Sequence, residues 1–324
     1  MRHRGPLAFQ DLEDVEGIKI KVLERKQQRM HVSRSALAAL VAAVVLVGIL
    51  AHRYVSDRTD EENVPLNVSS IDESIDLNQL EHLILSPCHG VYRIGMDFSR
   101  DSAWYFEDFM RNKKSGNVLM AHIEKAVELL GETPKGLLVF SGGQTKFSAG
   151  PLSESQSYWK LAESQGLLND ITVRSRVTTE EFARDSFENL LFSLCRFKEF
   201  TGRYPKQVTV VGFPFKEHRF KTLHRKALNI PESSFSYVDV FTLEIYAPSA
   251  DQYEEQKSGE FHNAFKHFQE DPYGCLSPVL IAKRQRRDPF HRFHSYERTC
   301  PEMTDLLQYC GKDIFPGKLP WSTE

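Results

Sequence analysis

The chain is short of cysteine, of net charge and of recognisable nucleotide-binding motifs, and each shortage removes a class of protein. Its five cysteines, Cys88, Cys195, Cys275, Cys300 and Cys310, include no C-x-x-C pair, so a disulfide scaffold and a structural zinc site lack support. The formal net charge is only -3, and the basic residues form short runs without a concentrated face. That speaks against nucleic acid as a partner. There is no G-x-x-x-x-G-K-[ST] loop and no G-x-G-x-x-G turn, which removes the usual basis for an ATPase or a dehydrogenase. No internal repeat is visible. A hydrophobic fraction of 41% and a charged fraction of 26% are ordinary for a globular protein, so wholesale disorder is excluded as well.

What the chain does have is one long uncharged run, SALAALVAAVVLVGILA, over 35–51, bracketed by Arg34 and Arg53. Seventeen helical residues rise roughly 26 Å at 1.5 Å each, close to the roughly 27 Å hydrocarbon core of the endoplasmic reticulum membrane. A buried core helix normally keeps a polar stripe, and this run has none. Eight Lys and Arg residues precede it (Arg2, Arg4, Lys19, Lys21, Arg25, Lys26, Arg29, Arg34), whereas the twenty residues after it hold Arg53 and Arg58 alone. The asymmetry keeps the N-terminus cytoplasmic and carries the rest across. The expected organisation is therefore a cytoplasmic tail (1–34), a transmembrane helix (35–52), a polar stem (53–79) and an α/β domain with a C-terminal extension (80–324). The acceptor triplet Asn67-Val68-Ser69 would stand in the stem, open to glycosylation. In an oxidising lumen Cys300 and Cys310 become the expected disulfide pair, with buried free thiols as the alternative.

From Glu81 onward, apolar strand patterns alternate with amphipathic helices. Strands are expected at 82–86, 136–140, 171–174, 207–211 and 235–238. Helices are expected at 115–130, 153–166, 180–200 and 216–228, with a further one at 259–269 before a Pro- and Arg-rich irregular stretch. Thr178 and Glu181 read as a capping box for the long helix. Continuous apolar strands separated by helices predict a Rossmann-like, three-layer parallel sheet covered on both faces.

In such a sheet ligands bind beyond the carboxyl ends of the strands, and polar residues collect there. His89 follows the first strand and is a proton carrier by type. Ser141, Gly142, Gly143 and Thr145 follow the second, where glycines let backbone N–H groups approach an anion. Arg176, Thr178 and Thr179 follow the third. Lys216 and Arg219 open the helix after the fourth, where an anion is favoured, and their place in a first turn predicts little cost to stability on removal. Glu154, just after Ser153, is either a dipole-complementing carboxylate or a general base. Glu181, Asp185 and Asn189 share one helical stripe at i, i+4 and i+8. No metal site and no particular cofactor follow from these residues.

These segments resemble the YdcF/SanA/ElyC-like family, known from bacterial envelope proteins and from a longer eukaryotic branch. The matching pieces are the first strand with His89, LLVFSGGQT at 137–145, Ser153-Glu154, DSFEN at 185–189 and VTVVGFPFKEHRF at 208–220. The closing DPYGC, KRQRRDPF and CPEMTDLLQYCG resemble the eukaryotic branch. The resemblance covers roughly 81–311 and implies a Rossmann-like fold with its polar motifs at one edge. It also implies a link to envelope polysaccharide metabolism or, from one member, S-adenosylmethionine binding. It brings no settled reaction. Two positions depart from the bacterial pattern: Lys216 stands where a histidine is usual, and Ala183 where a hydroxyl residue is usual. Any mechanism built on that histidine is therefore in doubt here. Three functions compete: an enzyme acting on a phosphorylated or nucleotide-linked small molecule, with His89, Glu154 and Asp185 as catalytic candidates; a module binding an S-adenosylmethionine-type ligand without turnover; and a membrane scaffold.

Overall fold

The computed structural model describes residues 37, 39, 43–49, 76–107, 110–111, 115–240 and 250–322. The chain divides into two compact units, Met1–Asp72 and Glu73–Glu324. In the first, residues 43–49 are helical with exposed side chains. Among the described residues no helix is long and apolar enough to cross a membrane. Residues 35, 36, 38, 40–42, 50 and 51 of the expected span, all of the tail and the stem sequon at Asn67 lie outside the described residues.

The second unit is built on five strands: β1 (His82–Pro87), β4 (Gly136–Ser141), β5 (Val177–Glu180), β6 (Gln207–Gly212) and β7 (Phe235–Asp239). They are parallel throughout, in the order β5-β4-β1-β6-β7. A short antiparallel ribbon, β2 (Val91–Tyr92) with β3 (Trp104–Tyr105), lies apart. Successive side chains along a strand face opposite ways, and the core divides accordingly. Leu83, Leu85, Leu137, Val139, Val208 and Val210 join one cluster, while Ile84, Leu138, Phe140 and Val211 join the other. Helices α1 (Ser115–Gly131) and α2 (Glu154–Ser164) cover the second cluster with Leu119, Ile123, Tyr158 and Leu161. The first is covered by α4 (Ser186–Thr201) and the C-terminal elements. The expected Rossmann-like three-layer sheet is present.

Three local expectations are corrected. Ile171–Arg174 is not a strand but a helical turn, α3, because Asp170 accepts a hydrogen bond from the Thr172 N–H and caps it. The strand is Val177–Glu180, whose pairing with 138–141 on β4 fixes Thr178 and Thr179 inside the sheet. Consequently the long helix starts six residues late. Asp185, not Thr178, is its N-cap, accepting from the N–H groups of Phe187 and Glu188. Glu181 therefore lies outside the helix, and the three-residue stripe is reduced to Asp185 and Asn189.

The C-terminal stretch is more ordered than its composition suggests. After α5 (Pro214–Arg219), which continues through a π-helical turn, Phe220–His224, into Arg225–Ala227, come α6 (Ala250–Glu260) with a second π segment at Phe261–Phe265, then Lys266–Glu270, and α7 (Pro278–Arg286). Phe268, Tyr273, Leu280, Tyr296 and Met303 enter the same core as α4, so the extension belongs to the domain. The disulfide joins Cys275 to Cys310, correcting the expected Cys300–Cys310 pair. Cys300 is buried, its thiol donating to the Cys195 carbonyl at 3.4 Å.

Candidate functional site

The strand order places a topological switch between β1 and β6, because the chain lays β4 and β5 on one side of β1 and then returns to lay β6 and β7 on the other. A cavity of about 820 Å³ opens beyond the carboxyl ends of β1 and β6, where such sheets receive ligands. Seven of the ten expected site residues line it: His89, Thr145, Glu154, Asp185, Asn189, Lys216 and Arg219. Ser141, Gly142 and Gly143 are not among the residues that line it.

His89 leaves β1 beside Phe213, ring centroids 4.9 Å apart, and stacks on the buried His122 at 5.6 Å. The Lys216 ammonium stands 3.3 Å from Nε2 and 3.4 Å from Nδ1 of His89. Burial, and then the charge of Lys216, push the His89 pKa well below the usual histidine value, so the imidazole is neutral. Lys216 is lowered to about 7, first by burial and then by Arg219. His122 is lowered to about 4 by burial; its Nε2 lies 2.8 Å from the Val211 carbonyl, while Nδ1 has no partner.

The Ser-Gly-Gly loop is not the expected anion cradle. The Gly142 and Gly143 N–H groups donate to the carbonyls of Glu180 and Ala183 at 3.0 and 2.8 Å, so neither is free for a ligand. The loop instead caps α2: the Glu154 and Ser155 N–H groups donate to Gly143 and Gly142 carbonyls. The glycines are required by proximity, since a Cβ on Gly142 would lie 2.9 Å from the Glu154 Cβ and one on Gly143 2.9 Å from the Ala183 carbonyl oxygen. Ser141 donates to Glu180 at 2.6 Å and is held by the Asn189 amide at 2.9 Å. Burial raises Glu180 to about 7.

Glu154 faces the cavity and accepts the Thr145 hydroxyl. Asp185 is fully engaged: Oδ1 accepts from two backbone N–H groups of α4, and Oδ2 accepts from Arg284 Nε at 2.7 Å. Burial opposes its charge, but Arg284 outweighs it and holds the pKa at about 2. That geometry makes Asp185 an anchor between α4 and α7. Arg176 does not reach the site either; its guanidinium donates to carbonyls such as Thr133 at 2.7 Å, at the amino end of the sheet. Cys88 lines the cavity, but burial raises its thiol well above the ordinary value, which makes it a poor nucleophile. Among the described residues no cluster of three or more His, Cys, Asp or Glu side chains could hold a metal ion.

Sequence reading missed the far wall. Lys283, Arg286 and Arg287 of the α7 region and Glu260 at the end of α6 line the cavity. The run KRQRR at 283–287 was the signal, obscured because its segment read as irregular. Glu107 also joins, paired to Lys146 at 2.6 Å and Arg287 at 3.3 Å. His122 had no signal beyond a histidine on an apolar helix face.

The site thus belongs to an α/β protein with a parallel sheet and, at its switch point, a cavity lined by both cations and carboxylates. Over 308 residues, 76% of this chain and 99% of the other, it is 27% identical to the uncharacterized protein YOR238W of Saccharomyces cerevisiae. No family model matches the chain, and no solved structure matches it significantly.

Proposed function

We propose that this is a membrane-anchored, YdcF-like protein whose α/β domain binds and processes a phosphorylated or nucleotide-linked small molecule in the cavity at the β1–β6 switch. One observation carries the reading: Lys216, Arg219, Lys283 and Arg287 converge on one cavity from two separate helical regions. Arg219 and Arg287 meet Glu260 and Glu107, but Lys216 and Lys283 have no carboxylate ion pair among the described residues, and assembling buried cations is costly unless an anion compensates them. Lys216, lowered to about 7, is suited to proton transfer near neutral pH, with the neutral His89 beside it and Glu154 as the further acid–base candidates. A second reading, binding of an S-adenosylmethionine-type ligand without turnover, gains from Asp185, whose carboxylate is spent on the fold.

The test is a melting series of the detergent-solubilised full chain with pyrophosphate, ADP and S-adenosylmethionine. A ligand at hundredfold excess over its dissociation constant adds about 2.7 kcal/mol. A rise with pyrophosphate or ADP supports the anion reading, and a rise with S-adenosylmethionine alone supports the second. No rise with any of them favours a scaffold.

For topology, we propose that 35–51 spans the membrane, with the N-terminus cytoplasmic and the α/β domain in the lumen of the secretory pathway. The exposed Val44, Val45, Leu46, Val47 and Ile49 on a helical stretch suit lipid surroundings. The Cys275–Cys310 disulfide suits an oxidising compartment.

A further inference from the structure

The cations of the cavity are not equally compensated. Arg184 is paired with Glu188 at 2.6 Å, and Arg287 with Glu107 at 3.3 Å. Among the described residues neither Lys216 nor Lys283 forms an ion pair with a carboxylate, although both are at least half-buried. Arg219, 5% exposed, has Nε 3.2 Å from Glu260 Oε1. Both of those atoms are buried, yet neither makes a hydrogen bond. Glu260 thus sits in the field of three cations with a poorly satisfied carboxylate, since its charge also acts on Lys216 and Lys283.

We infer that the pole of the cavity bounded by Lys216, Arg219 and Lys283 is a subsite for a phosphate monoester dianion, with Glu260 acting in the empty protein as an internal competitor that rejects singly charged groups. The inference rests on the anion reading of the cavity and narrows it to one ligand class. Two ammonium groups without carboxylate partners match two negative charges. A monoester offers three terminal oxygens and, with a second pKa near 6, is mostly dianionic at neutral pH. A carboxylate or a phosphodiester brings one charge. Against Glu260 it exchanges one carboxylate-strength partner of Arg219 for another and leaves a lysine uncompensated. The dianion can satisfy both lysines and still compete for Arg219. Burial lowers Lys216 to about 7 and Lys283 to about 8, so near neutral pH the bound dianion restores a proton chiefly to Lys216, Lys283 being already mostly charged.

The test compares three ligands that share a ring: phenyl phosphate, its methyl diester and benzoate, titrated calorimetrically into the full chain near neutral pH, where the monoester is dianionic. Phenyl phosphate should bind about tenfold tighter than the other two, the value of one charge-assisted contact. Lys283→Met, at a side chain with no hydrogen bond or ion pair among the described residues, should bring that preference close to one without lowering the melting temperature. Glu260→Gln should tighten benzoate and the diester several-fold. Equal binding of the three by the wild type, or unchanged or weaker monoanion binding by Glu260→Gln, overturns the dianion subsite and leaves the anion site standing. Failure of all three ligands with both wild type and Glu260→Gln overturns the anion reading itself. Should Glu260→Gln not fold, the loss or survival of the preference in Lys283→Met decides alone.

Discussion

Lys216 shows how one buried charge joins stability to ligand affinity. An unfolded lysine titrates near 10.4, whereas burial first, and Arg219 second, hold this one at about 7. Between those values the unfolded chain binds the extra proton, so the contribution of Lys216 makes stability rise with pH across that window. The empty wild-type protein should therefore gain more melting temperature from about pH 7 to about pH 9 than Lys216→Met does, read by calorimetry without ligand. Anion affinity should run the opposite way, falling as pH rises through the lysine's titration in the complex. Equal pH slopes in the two proteins would mean that Lys216 is solvated. Arg219 is a poorer probe than its expected first-turn position implied. It is the last residue of α5, buried against Phe220 and Phe268, and removing it strands Glu260. Residue types were legible in the sequence, as with His89 and Lys216. Their environment was not, because desolvation depends on what the rest of the chain brings near.

At the scale of elements, the Ser-Gly-Gly turn is a joint between β4 and α2. Its carbonyls cap the helix and its N–H groups extend the contact with β5 and the loop beyond. Gly142→Ala places a methyl 2.9 Å from the Glu154 Cβ and 3.0 Å from the Cys88 Cβ. Overpacking of this kind costs typically about 1–3 kcal/mol, measurable by denaturant unfolding, and it should also displace Glu154. Gly131→Ala at the end of α1, where nothing lies within 4 Å of the new carbon, should be neutral or slightly stabilising. An unaffected Gly142→Ala would show that the joint is looser than drawn. Strands β1, β4, β6 and β7 were legible because apolar β-branched runs between turns have few alternatives. The third strand was misplaced because Ile171-Thr172-Val173 carries the same propensity, and only the Asp170 cap and the pairing of 177–180 with β4 tell them apart.

At the scale of the whole molecule, the chain should stay in the pellet after alkaline carbonate extraction. Glycosidase should increase its mobility through loss of a glycan at Asn67, and its C-terminal domain should resist protease in intact microsomes. Release into the supernatant would end the anchor reading, and digestion in intact vesicles would reverse the topology.

The sequence by itself determined the α/β class, the edge at which polar residues gather and most of the near wall of the cavity. Those features follow from local periodicity and from the rule that parallel strands present their following loops on one side. Only the tertiary structure decided the far wall and the pairing of charges. Lys283, Arg284 and Arg287 are about a hundred positions from Asp185, and Glu260 is 41 from Arg219. Their meeting depends on how the C-terminal helices pack over α4 and α5. Likewise Cys275, not Cys300, pairs with Cys310 because Cys300 is buried against Cys195 in the core shared with α4. Contacts this distant leave no periodic trace in a single sequence, since the geometry that selects them exists only once the core has formed.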